Sequence, residues 1–448
     1  MPETTEATHP LIYLDANATT PVCAEALAAV LPFLTTHFGN PSSSHALSAE
    51  PALALALARS RIADLVGASL LEGDRVIFCS CATESISWII RGVIERSRKR
   101  QGDTESGGGG GGGGNLHIVA GATEHAAVLE CLKWATSQGL ARYTLIDAGV
   151  DGRVDSEAFA SASSGDDTAL VTLMLANNET GAINDVARAV RLIRQAAQRA
   201  NRPAPFIHCD ASQAAGKITI DFHSLNVDAL TLAGHKLYAP KGVGCTVLRA
   251  GVMIPPALLL GGSQESGSRA GTENIAYAAA FGAAAQVARD WLADENGGNG
   301  SRGGGVARHT QLRARLATKL ADKFSDIGVN MLIHGPPDQS FSLPNTLSFG
   351  IRGLRASALV RALRDTVAIS AGSACHAGDT EHASHVLASM GRGGGADAVG
   401  GIDIFNEFAK GTVRLSLARS STDEEIDRAV VLIVNAVAKL LNIAVAVP

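Results

Sequence analysis

Short apolar runs alternate with helical patterns between residues 74 and 250, and this alternation limits what the chain can fold into more than any other feature. The runs are RVIFCS (75–80), LHIVAG (116–121), RYTLID (142–147), ALVTLMLA (169–176), PFIHCD (205–210), DALTLAG (228–234) and GCTVLRA (244–250). Helical patterns follow several of them, at 84–97, 124–137 and 185–200. Strands buried on both faces read as continuous apolar runs, and helices between them supply parallel crossovers. The pattern therefore predicts an α/β domain built on a large, mainly parallel seven-stranded sheet.

After residue 265 the pattern changes to a long alanine-rich helix over 271–296 and a second over 306–324. Strands are expected near 331–335, 345–351, 367–372 and 412–418, followed by a last helix. At that helix Ser421 with Glu424, or Thr422 with Glu425, offers a capping box. The expected division is an N-terminal segment (1–35) serving the small domain and active site, a large α/β domain (36–265), and a connecting helix with a smaller α+β domain (266–448). Three glycine-rich stretches, 106–115, 295–305 and 391–401, read as surface insertions, because none has the strand–loop–helix spacing of a phosphate loop.

Net charge is -5, from 38 basic and 43 acidic residues, which argues against a nucleic acid or an anionic membrane held by bulk charge. No apolar run approaches the roughly 18 residues that span a bilayer. The first residues, MPETTEATHPLIYLD, resemble neither a signal nor a transit peptide. Seven scattered cysteines without a CxxC pair suit free thiols in a reducing cytosol.

The segment HCDASQAAGK…ALTLAGHKLYAPKGVG carries the chemistry. Asp210 ends one strand and Lys236, preceded by His235, ends another; ligands of open parallel sheets sit at such carboxyl ends. A converging aspartate and lysine suit pyridoxal 5'-phosphate: the amine condenses with the aldehyde, and the carboxylate keeps the pyridine nitrogen protonated. Either residue alone would read as a turn former or a solvated charge.

Ten motifs then occur in order: YLDANATTP (13–21), FGNPSS (38–43), CATES (81–85), EHAAVL (124–129), ANNETG (176–181), DASQAAGK (210–217), AGHKLYAPKGVG (233–244), SRAGTEN (268–274), SAGSAC (370–375) and VRLSLARSSTDEEID (413–427). Together they resemble the selenocysteine lyase and cysteine desulfurase family, class-V aminotransferase-like enzymes of pyridoxal-phosphate fold-type I. The resemblance runs from Tyr13 to the last helix, interrupted mainly by the glycine-rich stretches. It implies that Lys236 is the Schiff-base and proton-transfer residue, that Asp210 pairs with the pyridine nitrogen, and that Gln213 and Asn178 bond the phenolic oxygen. It also implies that His125 stacks on the ring and relays protons, and that Ala82, Thr83 and His235 hold the phosphate. Thr272 would reach the phosphate from a partner subunit, making a homodimer with shared active sites. Arg414, with Asn17 and Ala18, would bind the substrate carboxylate. Ala233 departs from the pattern, since many members have serine there.

The stretch AGSACHAGDTEHASH (371–385) has several readings from its residues alone. Cys375, His376, His382 and His385 can be counted as metal ligands, but C-H-x5-H-x2-H is not a familiar zinc spacing. A protease-type pair needs a base held by a third group, and adjacent residues rarely face each other. An inert loop thiol is the plain alternative. The resemblance implies instead that Cys375 is a catalytic loop nucleophile that takes up a chalcogen, with no metal. The pattern after Cys375 resembles selenocysteine lyases, so the expected reaction converts L-selenocysteine to L-alanine and reduced selenium. The alternative is a desulfurase that makes alanine from L-cysteine and a Cys375 persulfide, with an acceptor protein downstream in either case. An aminotransferase of other specificity and a cofactor-free scaffold are the competing classes; retention of both Asp210 and Lys236 speaks against the scaffold.

Overall fold

In a computed structural model, residues 10–100, 116–294, 304–372, 384–393 and 407–443 are described. The strands are β1 (Ile12–Tyr13), β2 (Arg75–Cys79), β3 (Leu116–Gly121), β4 (Ala141–Ile146), β5 (Thr168–Thr172), β6 (Phe206–Asp210), β7 (Ala229–Ala233), β8 (Gly244–Leu248), β9 (Met331–His334), β10 (Thr346–Ile351), β11 (Val367–Ala368) and β12 (Val413–Ser416). The helices are α1 (Ala24–Thr35), α2 (Ala49–Val66), α3 (Ala82–Arg100), α4 (Ala126–Ser137), α5 (Ser156–Ala162), α6 (Val186–Arg199), α7 (Phe222–Leu225), α8 (Ile275–Ala293), α9 (Gly305–Asp326), α10 (Ala356–Leu363), α11 (His385–Gly393) and α12 (Asp423–Leu440).

Seven strands form one sheet in the order β2-β8-β7-β6-β5-β3-β4. Neighbours from β7 to β4 are parallel, while β8 runs antiparallel to both β7 and β2. Hence β2 runs in the same direction as β7, and the carboxyl ends of β2, β7, β6, β5 and β3 share one edge. The apolar runs explain why both faces are covered. Ile118 of β3 and Leu170 of β5 pack with Ile86, Ile89 and Leu132 on one side. Their neighbours Val119 and Val171 pack with Ile62, Val190 and Phe281 on the other.

The run at 169–176 yields a shorter strand than its composition suggests. Leu173 and Leu175 still donate to the His208 and Asp210 carbonyls, but Asn177 then turns the chain, its Oδ1 accepting from Glu179 and Thr180 amides. That turn carries Asn178 to the sheet edge.

A second core joins Leu316 and Phe324 of α9, Phe349 of β10 and Ile433 of α12 with Ile12 and Leu14. Around it lie an antiparallel sheet, β12-β10-β9, and the parallel pair β1-β11. The chain start therefore returns to the region built last. Helix α8 packs on α1 and α2 within the large core, whereas α9 belongs to the smaller one. Of the two caps expected for α12, Thr422 with Glu425 forms, with both reciprocal bonds present.

Candidate active site

The shared sheet edge opens into a cavity of about 270 Å³ lined by Asn17, Ala18, Ala82, Thr83, His125, Asn178, Asp210, Gln213, His235, Lys236 and Arg414, among others. Most come from the carboxyl end of a strand or the segment that follows it. Asp210 is the last residue of β6, its Oδ1 accepting from the Ser212 amide. Lys236 closes the 3-10 turn after β7, and its Nζ donates to the Asn17 and Ala18 carbonyls. Ala82 and Thr83 open α3 directly after β2, where first-turn amides lack intrahelical acceptors and the helix dipole favours an anion. His125 caps α4, with Nδ1 accepting from the Ala127 amide at 3.1 Å, which leaves Nε2 as the other ring nitrogen.

The opposite wall comes from the smaller core. Arg414 of β12 is only 1% exposed; it donates to Asp15 Oδ1 at 2.6 Å and to the Asn178 carbonyl at 2.9 Å. Asn17 spans the two halves, with Nδ2 donating to the Asn178 carbonyl and Thr346 Oγ1. Gln213 Nε2 donates to the Asn17 carbonyl, and Lys217 donates to both Gln213 Oε1 and Asn17 Oδ1.

Burial dominates the electrostatics. It lowers the His125 pKa, and it pushes His235 down to about 4 with help from Lys236. Both imidazoles are therefore neutral at neutral pH. Burial raises the Asp15 carboxyl against the pull of Arg414, and it holds Lys217 well below an ordinary lysine.

The donor set fits pyridoxal 5'-phosphate. Among the described residues, Arg414 Nε and Ser212 Oγ are buried without a hydrogen-bond partner, and both residues line the cavity. An anion-favouring helix start at Ala82, the Asp210 carboxylate and the Lys236 amine, all lining the same cavity, complete the set. Ala233 also lines the cavity and offers no hydroxyl.

Thr272 is exposed and is not part of the cavity wall in this chain. Cys375, His376 and His382 lie outside the described residues. His385 opens α11 and bonds the Glu124 carbonyl through Nε2 at 2.9 Å. Among the described residues no group of three or more His, Cys, Asp or Glu is placed to hold a metal. Sequence reasoning missed Asp15, Cys81, Ser212 and Lys217. Asp15 and Lys217 lie inside quoted motifs, but their partners are up to 399 residues away, a pairing that no local pattern carries.

The class-V aminotransferase family model matches residues 12–429. Cysteine desulfurase NifS of Azotobacter vinelandii is 36% identical over 436 residues, 97% of this chain and 94% of that protein. Cysteine desulfurase 2 of Trichormus variabilis is 36% identical over 419 residues, 93% of this chain and 91% of that protein. Among solved structures, a NifS-like protein superposes with a TM-score of 0.78 at 30% identity, covering 96% of this chain and all of that one.

Proposed function

We propose, from the premise that this chain belongs to the class-V aminotransferase family and is a pyridoxal 5'-phosphate-dependent enzyme of its cysteine desulfurase and selenocysteine lyase branch, that it takes sulfur from L-cysteine. The relatives' names favour this over the selenium reaction expected from the loop pattern. The convergence of Asp210, Lys236, His125 and Arg414 on one cavity carries the proposal.

When bound, the cofactor supplies an electron sink that loosens bonds around the substrate Cα. Amides at Ala82 and Thr83, with His235, would hold its phosphate; Asp210 would pair with its ring nitrogen, and Asn178 and Gln213 would bond its phenolic oxygen. His125, a neutral imidazole, would stack on its ring. Lys236 would anchor it and move a proton at the substrate carbon. Arg414 takes the substrate carboxylate through the donor it has spare, with Asn17 and Ala18 beside it. Cys375 attacks the sulfur: the Cβ–S bond breaks, an S–S bond forms on Cys375, and Cβ gains a proton to leave L-alanine. Two electrons stay with carbon and the thiol is oxidised to the persulfide, so no outside oxidant is needed.

The working unit in this reading is a homodimer, with Thr272 completing the neighbouring phosphate site. Exposed leucines on two helices that both pack on α8 support it. Leu27, Leu31 and Leu34 of α1 are 54%, 55% and 60% exposed, and on α2 Leu53 is 64% and Leu57 50% exposed. The division at 36–265 and 266–448, the N-terminal segment serving both, and a cytosolic setting belong to the same reading, as does an acceptor protein for the sulfur. Among the described residues no helix is long and apolar enough to cross a membrane.

Ala233 favours a second reading, L-selenocysteine lyase. Where many family members carry serine, the family resemblance implies that selenocysteine lyases often carry an apolar residue like this one, and selenium leaves Cβ more readily than sulfur. Alanine release from L-cysteine and L-selenocysteine under reducing conditions separates the two. Comparable rates, with persulfide on Cys375, support the desulfurase; alanine from L-selenocysteine alone overturns it.

A further inference from the structure

We propose that Lys217 is a positioning residue that sets the orientation of two active-site amides, Gln213 and Asn17. Lys217 is buried beneath the cavity, and its Nζ lies 2.6 Å from Gln213 Oε1 and 2.9 Å from Asn17 Oδ1. A primary amide can be rotated to exchange its oxygen and nitrogen at little local cost. Whether charged or neutral, the lysine amine has at least two N–H donors, and two are spent on these amide oxygens, so each amide turns its oxygen toward it. For Gln213 this aims Nε2 at the Asn17 carbonyl and the cavity. For Asn17 it aims Nδ2 at the Asn178 carbonyl and Thr346 Oγ1, with Asn345 Nδ2 a further donor to Oδ1 at 3.2 Å.

One amine thus fixes the donor that faces the cofactor ring and the residue that links Asn178 to the Lys236 turn. Among the described residues no carboxylate pairs with Lys217 Nζ, and burial disfavours its charge. A buried amine costs stability unless it is hydrogen-bonded, and here the two amide oxygens supply those bonds. Gly216 before it has φ of 69°, and a Cβ there would stand 2.3 Å from Leu237 Cδ2, so the backbone that delivers Lys217 tolerates glycine alone without rearrangement.

The assignment rests on the reading above that Gln213 faces the ring, and cofactor measurements without substrate test it apart from the choice of amino acid. Lys217→Met and Gln213→Ala, alone and combined, are titrated with pyridoxal 5'-phosphate, following the visible absorbance band and the cofactor Kd. Lys217→Met is expected to weaken cofactor binding about tenfold, the size of one lost buried hydrogen bond, and to move the band in the same direction as Gln213→Ala. In the Gln213→Ala background the Lys217 effect should shrink to the share carried through Asn17, well short of the full loss, since coupled residues are non-additive. A full Lys217 loss in both backgrounds, or an unmoved band in Lys217→Met beside a shifted one in Gln213→Ala, overturns the proposal. A silent Gln213→Ala overturns the ring-facing role of Gln213 itself and this proposal with it. Should Lys217→Met fail to fold, Lys217→Leu, shorter and equally without a donor, runs the same cycle.

Discussion

Arg414 shows how a single side chain becomes specific. In the sequence it is an arginine on a short strand, and only the family resemblance gave it a carboxylate to bind. In the fold it is fully buried and tied to Asp15 and the Asn178 carbonyl, so its fork is held rigid before substrate arrives. Arg414→Lys should therefore raise KM for the amino acid at least tenfold, because lysine lacks the planar fork that holds Asp15 and the Asn178 carbonyl while keeping a further donor for the carboxylate. The cofactor absorbance should stay unchanged; steady-state kinetics beside a spectrum check both. Lys236→Ala should behave in the opposite manner, with the visible band lost on cofactor addition. Asp210 and Lys236 were legible because their residue types and strand-end positions already suited one cofactor. Asp15 and Lys217 were not, because their meaning lies in contacts made across the whole chain.

At the level of elements, continuous apolar runs located the large-sheet strands to within a few residues, since burial on both faces leaves so strong a mark. The order β2-β8-β7-β6-β5-β3-β4 and the reversal at β8 were invisible, because pairing depends on partners far apart in sequence. The run 169–176 was read too long: apolarity continues past Thr172, but the Asn177 turn ends the strand. The turn after β6 gives an element-scale prediction. Gly216→Ala forces a Cβ against Leu237 at a positive φ and should cost about 1–3 kcal/mol. Chemical denaturation would show it as a lower midpoint with an unchanged slope. The same variant should weaken cofactor binding, since it displaces Lys217.

The whole molecule has a pH signature set by what it buries. Burial holds His208, His309 and His334 near about 4, against 6.5 for an ordinary histidine. The native state then binds fewer protons than the unfolded chain between these values, so stability present above about 6.5 is lost as pH falls toward about 4. Glu124 has the opposite sign: burial and then Asp210 raise it to about 8, so its contribution fades as pH rises from about 4.5 to about 8. Stability should fall on the acid side of pH 6.5, where the histidines outnumber the glutamate; above it the buried Lys217 opposes Glu124. Denaturation free energies across pH 5 to 8 check this, and His334→Gln should flatten the acid limb. A profile that climbs toward acid would contradict it.

At this scale the proposed function requires the two cores to meet so as to present one cofactor, one carboxylate clamp and one sulfur-accepting thiol. The direct measurement is to treat the cofactor-loaded enzyme with L-cysteine, without reductant, and quantify both alanine and the sulfur on Cys375 by mass spectrometry. The prediction is one persulfide on Cys375 for each alanine in the first turnover, and no alanine burst in Cys375→Ser. Keto-acid product in place of alanine, or alanine formed at an unchanged rate in Cys375→Ser, would contradict the account.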